Sequence, residues 1–240
     1  MADRNIFAVP WSVLALLALT GSLQIGMQTS QPPPTAKAEA LSAPATPAII
    51  KVASLNEPIA AAQLLTLYLQ AFDNQPGMSI PFQDLDYRRV IGWLDTILAL
   101  DNSGQYPLLM ASQLYAQVPS EDKQRLMLDF VHRKFLEDPQ RRWRWLAHAT
   151  ILAKHRLKDN RLALRYADDL ARLARGAPNW ARQMRIFILE DMGELESATI
   201  LLGGLLATGE VTDPNEIHFL TQRLEQMKQS AENPTPMSRN

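Results

Sequence analysis

Residues 141–145, Arg-Arg-Trp-Arg-Trp, set three guanidinium groups and two indoles in five consecutive positions. Interleaving of this kind is one way in which single-stranded nucleic acid is held, with cations on the phosphates and rings under the bases. On a helix, residues two apart point about 200° away from each other, so Trp143 and Trp145 cannot form one stacking platform. Trp145 is assigned to packing, because a shift of 35 residues brings it onto Trp180. Trp143 either covers the adjoining helix or lies exposed beside Arg142 and Arg144.

The four histidines, His132, His148, His155 and His218, form no HExxH pair, and no cysteine stands beside them because the chain has none. His148 and His155 are seven apart and share a helix face, but a third ligand for a metal is not in view. GxSxG and GxGxxG are absent, and the adjacent acids Asp168-Asp169 and Glu190-Asp191 diverge on a helix instead of facing each other across a substrate. No catalytic residue, metal ligand or cofactor is therefore assigned, and the chain reads as a protein that is not an enzyme.

Charge is unevenly placed. Lys and Arg total 24 against 25 Asp and Glu, yet Lys123 to Arg185 holds 16 basic and 6 acidic residues, leaving 8 and 19 elsewhere. Arg141, Arg142, Arg144, Lys154, Arg156, Lys158, Arg161 and Arg165 fall on two consecutive expected helices. They form either a solvated face whose stems cover apolar surface or, within the basic region 123–185, a surface for an acidic partner: a protein tail, anionic lipid, an acidic polymer or nucleic acid. Asp159, Asp168 and Asp169 interrupt the run, which argues against a track for nucleic acid.

The elements that carry these residues follow from apolar spacings of three and four after Ser54. Helices are expected near 57–73, 85–100, 105–117, 120–137, 140–157, 159–175, 179–192, 194–208 and 214–229. Capping chemistry is expected at Ser54 with Pro58, at Ser120, and at Asp213 with Glu216 as a capping box. The Gly203-Gly204 pair inside a helix is expected to permit close approach of a neighbouring helix. The 35-residue shift also aligns Ile151 with Ile186, Ala163 with Ala198, and Leu170 with Leu205, and prolines recur at 107, 139, 178 and 214. Helix pairs of this length cannot bury their apolar faces singly and so must stack.

The segment Met192–Gly209, MGELESATILLGGLLATG, with Gly193 at the turn and Ala198 five residues on, resembles the second half of a tetratricopeptide repeat. Residues 144–177 match more loosely, with Lys158 at the turn position, and 105–138 more loosely still. The resemblance implies an all-α stack of antiparallel helix pairs over 55–230 that is divergent from the family, with large Ile186 where a small residue is usual. In that family the first helix of each pair lines a groove for peptide segments. The resemblance places His148, His155 and Arg156 of one unit, and Gln183, Glu190 and Asp191 of the next, on or near it. The change of sign between His155-Arg156 and Glu190-Asp191 either reads the polarity of a bound segment or forms an internal ion pair.

No charged side chain occurs from Asn5 to Ala36, and Ile6 to Met27 is a 22-residue apolar run, about 33 Å as a helix. Residues 1–27 are read as an uncleaved transmembrane anchor. A cleaved signal peptide is the alternative, with small-residue sites near Ala38 that lie more than ten residues beyond Leu23. Residues 28–54, with many prolines among small residues, are expected to be a disordered linker, and 231–240 a disordered tail. A short amino-terminal tail stays cytoplasmic most simply, which would export the helical domain. The chain also resembles membrane-anchored repeat proteins of proteobacteria, implying an inner-membrane protein with a periplasmic domain. The expected role is a scaffold that binds a partner protein in a helical groove, without nucleic acid and without a cofactor; the alternative is docking through the basic face.

Overall fold

The computed structural model describes residues 10–30, 39–209 and 211–232. Among these the protein is all-helical apart from one two-residue hairpin, and it divides into two units, Met1–Glu39 with Asn74–Ser79 and Ala40–Asp73 with Ile80–Asn240. Of the expected segments, 1–9 of the anchor 1–27, 31–38 of the linker 28–54 and 233–240 of the tail 231–240 lie outside the described residues; Ala231 and Glu232, expected in the tail, end the last helix.

The first unit contains α1 (Trp11–Ser30), twenty residues without a charge and without a buried side chain. At 1.5 Å per residue it reaches about 30 Å, long and apolar enough to cross a membrane. The same unit holds the hairpin β1 (Asn74–Gln75) and β2 (Met78–Ser79), whose Gly77 takes φ +79° in the left-handed region that favours glycine. The Gln75 side chain grips Glu39 at both ends, accepting from its N–H (2.8 Å) and donating to its carbonyl (3.0 Å).

The second unit begins earlier than expected. Leu41 is buried, the Ser42 carbonyl accepts from Trp93 Nε1 at 2.8 Å, and α2 (Pro47–Ala53) is helical within the stretch assigned to the linker. Proline is tolerated in the first helical turn, where its missing N–H would have no partner, so Pro47 starts this helix. Ser54 is the carboxyl-terminal cap of α2 and donates to the Lys51 carbonyl, instead of opening the next helix. Then follow α3 (Pro58–Ala71), α4 (Tyr87–Leu100) and α5 (Tyr106–Leu109), the last continuing as a π-helical stretch (Met110–Leu114) and a 3-10 turn (Tyr115–Gln117). The Ser112 hydroxyl bonds the Leu108 carbonyl at 2.9 Å, competing with the backbone ladder where it loosens.

The remaining helices are α6 (Glu121–Glu137), α7 (Pro139–His155), α8 (Asn160–Leu173), α9 (Asn179–Asp191), α10 (Leu195–Ala207) and α11 (Pro214–Glu232). Each helix from α2 on packs against its successor, α5 through its π- and 3-10 continuation. The apolar side chains form one core from Leu41 to Ile188 and a second, smaller one of Ile186, Ala198, Leu202, Val211, Leu220 and Met227. Helix α8 shows how the pattern works. Leu162, Ala163, Tyr166, Ala167 and Leu170 are buried at helical spacing, while Arg161, Arg165, Asp168 and Arg172 stay in solvent.

Polar bonds tie helices two apart. Lys134 of α6 reaches Asp95 of α4 (2.5 Å); His132 of α6 meets Asp169 of α8 (2.7 Å), and Arg125 meets Asp159 (2.7 Å). Trp145 Nε1 donates to Gln105 (2.7 Å), Lys154 of α7 pairs with Asp191 of α9, and Gln183 and Glu190 of α9 bond Glu216 and Arg223 of α11. Asp159 also caps α8, accepting from the Leu162 N–H at 2.9 Å. That bond and then the Arg125 guanidinium hold its carboxyl below the usual range. Asp213 accepts from the Asn215 and Glu216 amides, but Glu216 turns to Gln183, so the box is one-sided. Ser120 precedes α6 without a side-chain cap bond.

Arg142, expected on the basic surface, is 0% exposed. Its Nη1 donates to the Lys134 carbonyl (2.7 Å) and Glu137 (2.9 Å), and its Nη2 to the Asn102 side chain (2.5 Å) and carbonyl (3.2 Å). The guanidinium fork can satisfy acceptors from two segments at once, which an ammonium cannot do in the same plane. Arg142→Ala is expected to destabilise the fold by about 2–3 kcal/mol, since it empties a fully buried side-chain site and removes the donor that joins Lys134 and Glu137 to Asn102; urea unfolding followed by circular dichroism measures it. Asp159→Ala removes a cap and an interhelix pair and is expected to cost about 1–2 kcal/mol in the same assay.

Candidate docking site

The answer to the Arg-Trp run lies in how α7 meets α9. Trp145 is 7% exposed and bonded to Gln105, whereas Trp180 is 53% exposed. The two indoles do not occupy equivalent places, contrary to the 35-residue alignment. The turn after α7 spans 156–159 and that after α9 spans 192–194, so the spacing is one residue longer before the turns than after them. A spacing of 36 pairs buried with buried: Trp145 with Ala181, Ala147 with Gln183, Thr150 with Ile186, and Leu152 with Ile188. Past the turn 35 holds, with Lys158 (φ +52°) matching Gly193 (φ +80°) and Ala163 matching Ala198 at zero exposure. One residue is 100° of helix, which carries Trp180 from the place of Trp145 to that of exposed Arg144.

Trp180 instead meets Trp143. Their ring centroids are 5.8 Å apart at 71°, an edge-to-face pair, and the Arg144 guanidinium sits 5.7 Å from the Trp143 ring. At the far end Lys154 pairs with Asp191. The two contacts lie eleven residues apart on each helix, so α7 and α9 run side by side in the same direction over about 16 Å. Between these ends α7 carries exposed Arg144 and Ile151 and half-buried His148, whose Nε2 is sealed from solvent, with exposed Arg141 and His155 just beyond; α9 carries exposed Trp180 and Asp191 with partly buried Met184 and Phe187. His148 and Phe187 are half-buried, Ile151 is exposed, and burial holds the His148 imidazole below its ordinary pKa. The result is a surface with an aromatic-arginine cluster at one end, apolar side chains along it and an ion pair at the other. Its chemistry suits recognition of a protein segment: rigid aromatic anchors beside a cation are the groups that dominate such contacts.

The residues assigned to the groove divide. Arg156 donates to the Gln117 side chain (3.0 Å) and carbonyl (2.8 Å). Gln183 is buried against Glu216, Glu190 is held by Arg223 at 2.6 Å, and Asp191 by Lys154. His148 and His155 make no hydrogen bond or ion pair among the described residues and remain on the surface just described. The expected change of sign does not join His155 or Arg156 to Glu190 or Asp191: Arg223 takes Glu190 and Lys154 takes Asp191.

The basic surface divides likewise. Arg142 is internal, Arg141 bonds Asp138, Lys154 bonds Asp191, and Arg165 lies over the Tyr166 ring and 3.8 Å from Asp129. Arg144, Lys158 and Arg161 are exposed and have no acidic partner among the described residues. A track of eight cations is thereby reduced to three.

A hollow of about 250 Å³ opens between α9 and α10, lined by Gln183, Arg185, Ile200, Leu201, Gly204 and Leu205 among others. A Cβ on Gly203 or Gly204 would meet nothing within 4 Å, so the pair leaves open space there and does not serve close helix approach. Sequence reasoning missed the link between His132 and Asp169, which Arg172 also holds at 2.5 Å. Its only trace is a spacing of 37, the distance between helices two apart. The pair joins α6 to α8. No group of three or more metal-binding side chains occurs among the described residues. No protein-family model, curated protein or solved structure matches the chain.

A pH test isolates His148. With its folded pKa lowered, both folded and unfolded states hold it neutral above about 6.5. Below that the unfolded chain takes up the proton first, and its contribution falls on acidification. The melting temperature is expected to drop more in the wild type than in His148→Gln between about pH 7.5 and 5.5; equal slopes in scanning calorimetry would remove the assignment.

Proposed function

We propose that the protein is a membrane-anchored docking module: a tetratricopeptide-like stack of helix pairs, held by α1 as a single span with its body on the exported side of a bacterial inner membrane, that receives a segment of another protein along α7 and α9. The helical stack is supported by consecutive helices packing in order and by bonds that join helices two apart, from Asp95–Lys134 to Glu190–Arg223. Equivalent left-handed turns at Lys158 and Gly193 support it further. The single observation that carries the docking reading is the half-exposed Trp180, set edge-to-face on the partly buried Trp143 with Arg144 against that ring. A large apolar group left in water costs solubility unless something covers it, and Trp180 is such a group.

The role that follows is scaffolding in the assembly of a membrane-associated complex. Docking through the basic face alone is the weaker reading, because Arg142 is internal and Arg141, Lys154, Arg156 and Arg165 are already bonded or paired within the chain. Affinity capture of the full-length anchored protein from its native membrane separates the two. A partner retained at about 0.5 M salt, where the screening length is only a few ångströms, and lost in Trp143→Ala/Trp180→Ala supports docking on α7 and α9. A partner lost at that salt, and lost equally from Arg144→Gln/Lys158→Gln/Arg161→Gln while the tryptophan variant retains it, overturns the docking reading in favour of the charge.

A further inference from the structure

Helix α3 is apolar on two sides, and only one of them is used. Ala61, Ala62, Leu65 and Leu69 turn into the core against α2 and α4. On the opposite side Ala60, Leu64, Leu67 and Ala71 are all exposed, Leu64 by 67% and Leu67 by 61%. Their spacing, four, three, four, is that of the seam by which one helix packs along another in a coiled coil. Among the described helices of ten or more residues outside the first unit, α3 alone carries no charged side chain, and neighbouring Glu57 and Asp73 bound a charge-free run of fifteen residues. Ile59 in the first turn of α3, and Leu55 and Val52 before it, are exposed as well. Leu55 is 89% exposed and sits in the left-handed region at φ +53°, with Asn56 beside it at φ +67°, a costly conformation for a bulky side chain.

We propose that this seam is a self-association site, occupied by α3 of a second copy in an antiparallel two-fold pair. Two properties select that occupant. The seam reads Ala, Leu, Leu, Ala from either end, so turning one helix end for end sets Leu64 against Leu67 of the second copy and Ala60 against Ala71, with the two-fold axis between residues 65 and 66. An isologous contact also sets a patch against itself, where any charge near the axis would meet its twin; Pro58 to Phe72 contains none. Alanine at both ends lets the two backbones approach, and leucine at the centre fills the space between them. The site is separate from the surface on α7 and α9 and does not rest on what that surface binds.

The absence of cysteine makes the test clean. Full-length protein in lipid bilayer discs is prepared as two differently tagged single-cysteine variants, Ala60→Cys and Ala71→Cys, and oxidised alone and mixed. Because 60 and 71 lie about 16 Å apart along a helix, the antiparallel pair predicts a disulfide in the mixture and little in either variant alone. The companion variant Leu64→Glu/Leu67→Glu is expected to weaken association at least about tenfold by light scattering, since like charges would then meet across the axis, with helix content unchanged by circular dichroism. It retains α1, so loss of association is traced to α3. Equal cross-linking in the single variants, association undiminished in the glutamate variant, or monomers whose α3 is quenched by brominated lipid would each overturn the proposal, the last in favour of lipid as the covering surface.

Discussion

A guanidinium group sealed in a helical core has to be met by acceptors from more than one direction, and Arg142 sets the frame of the body in that way. It joins the end of α6, through the Lys134 carbonyl and Glu137, to Asn102 in the loop after α4. Once that side chain is inward, the helical period settles the rest of α7: Trp145, Leu146 and Ala149 follow it in, Arg141 and Arg144 turn outward, His148 is half-buried, and Trp143 is left at the flank where α9 lies. The indole at 180 is thereby given a partner instead of a pocket.

The same logic recurs at each step of the chain. A helix pair of about 35 residues has too little interior to bury its own apolar faces, so helices engage the helix two places away through polar side chains as well as their neighbour through apolar ones. Asp159 does both kinds of work at once, capping α8 with one oxygen and holding Arg125 of α6 with the other. Surface chemistry is depleted as a result. Cations and acids that would otherwise recruit a partner are engaged in holding the helices, which is why the exposed functional potential is aromatic and apolar and only thinly basic.

The two apolar surfaces left over differ in kind. That on α7 and α9 is mixed, with rings, a cation, imidazoles and an ion pair along it, and has the chemical variety to distinguish one protein segment from another. That on α3 has no such variety. Its uniformity and its symmetry of spacing suit contact with an identical surface, and the strained Leu55 next to it adds apolar area at the same edge of the helical unit.

Helical class and the places of the later helices were legible from the sequence, because three-and-four spacing and proline at helix starts are local properties that survive in any packing; Trp145 does turn inward, but the alignment with Trp180 that assigned it there does not hold. The apolar length of α1 was equally plain, being a matter of composition. Tertiary structure alone decided the rest. Ordering of 39–54 follows from Trp93 and Leu41, far apart in sequence. The burial of Arg142 depends on Asn102, forty residues away. The fate of Trp180 turned on one added residue in a loop, and a 100° rotation of a helix is invisible to an alignment that counts residues but cannot tell which side of the helix the core lies on.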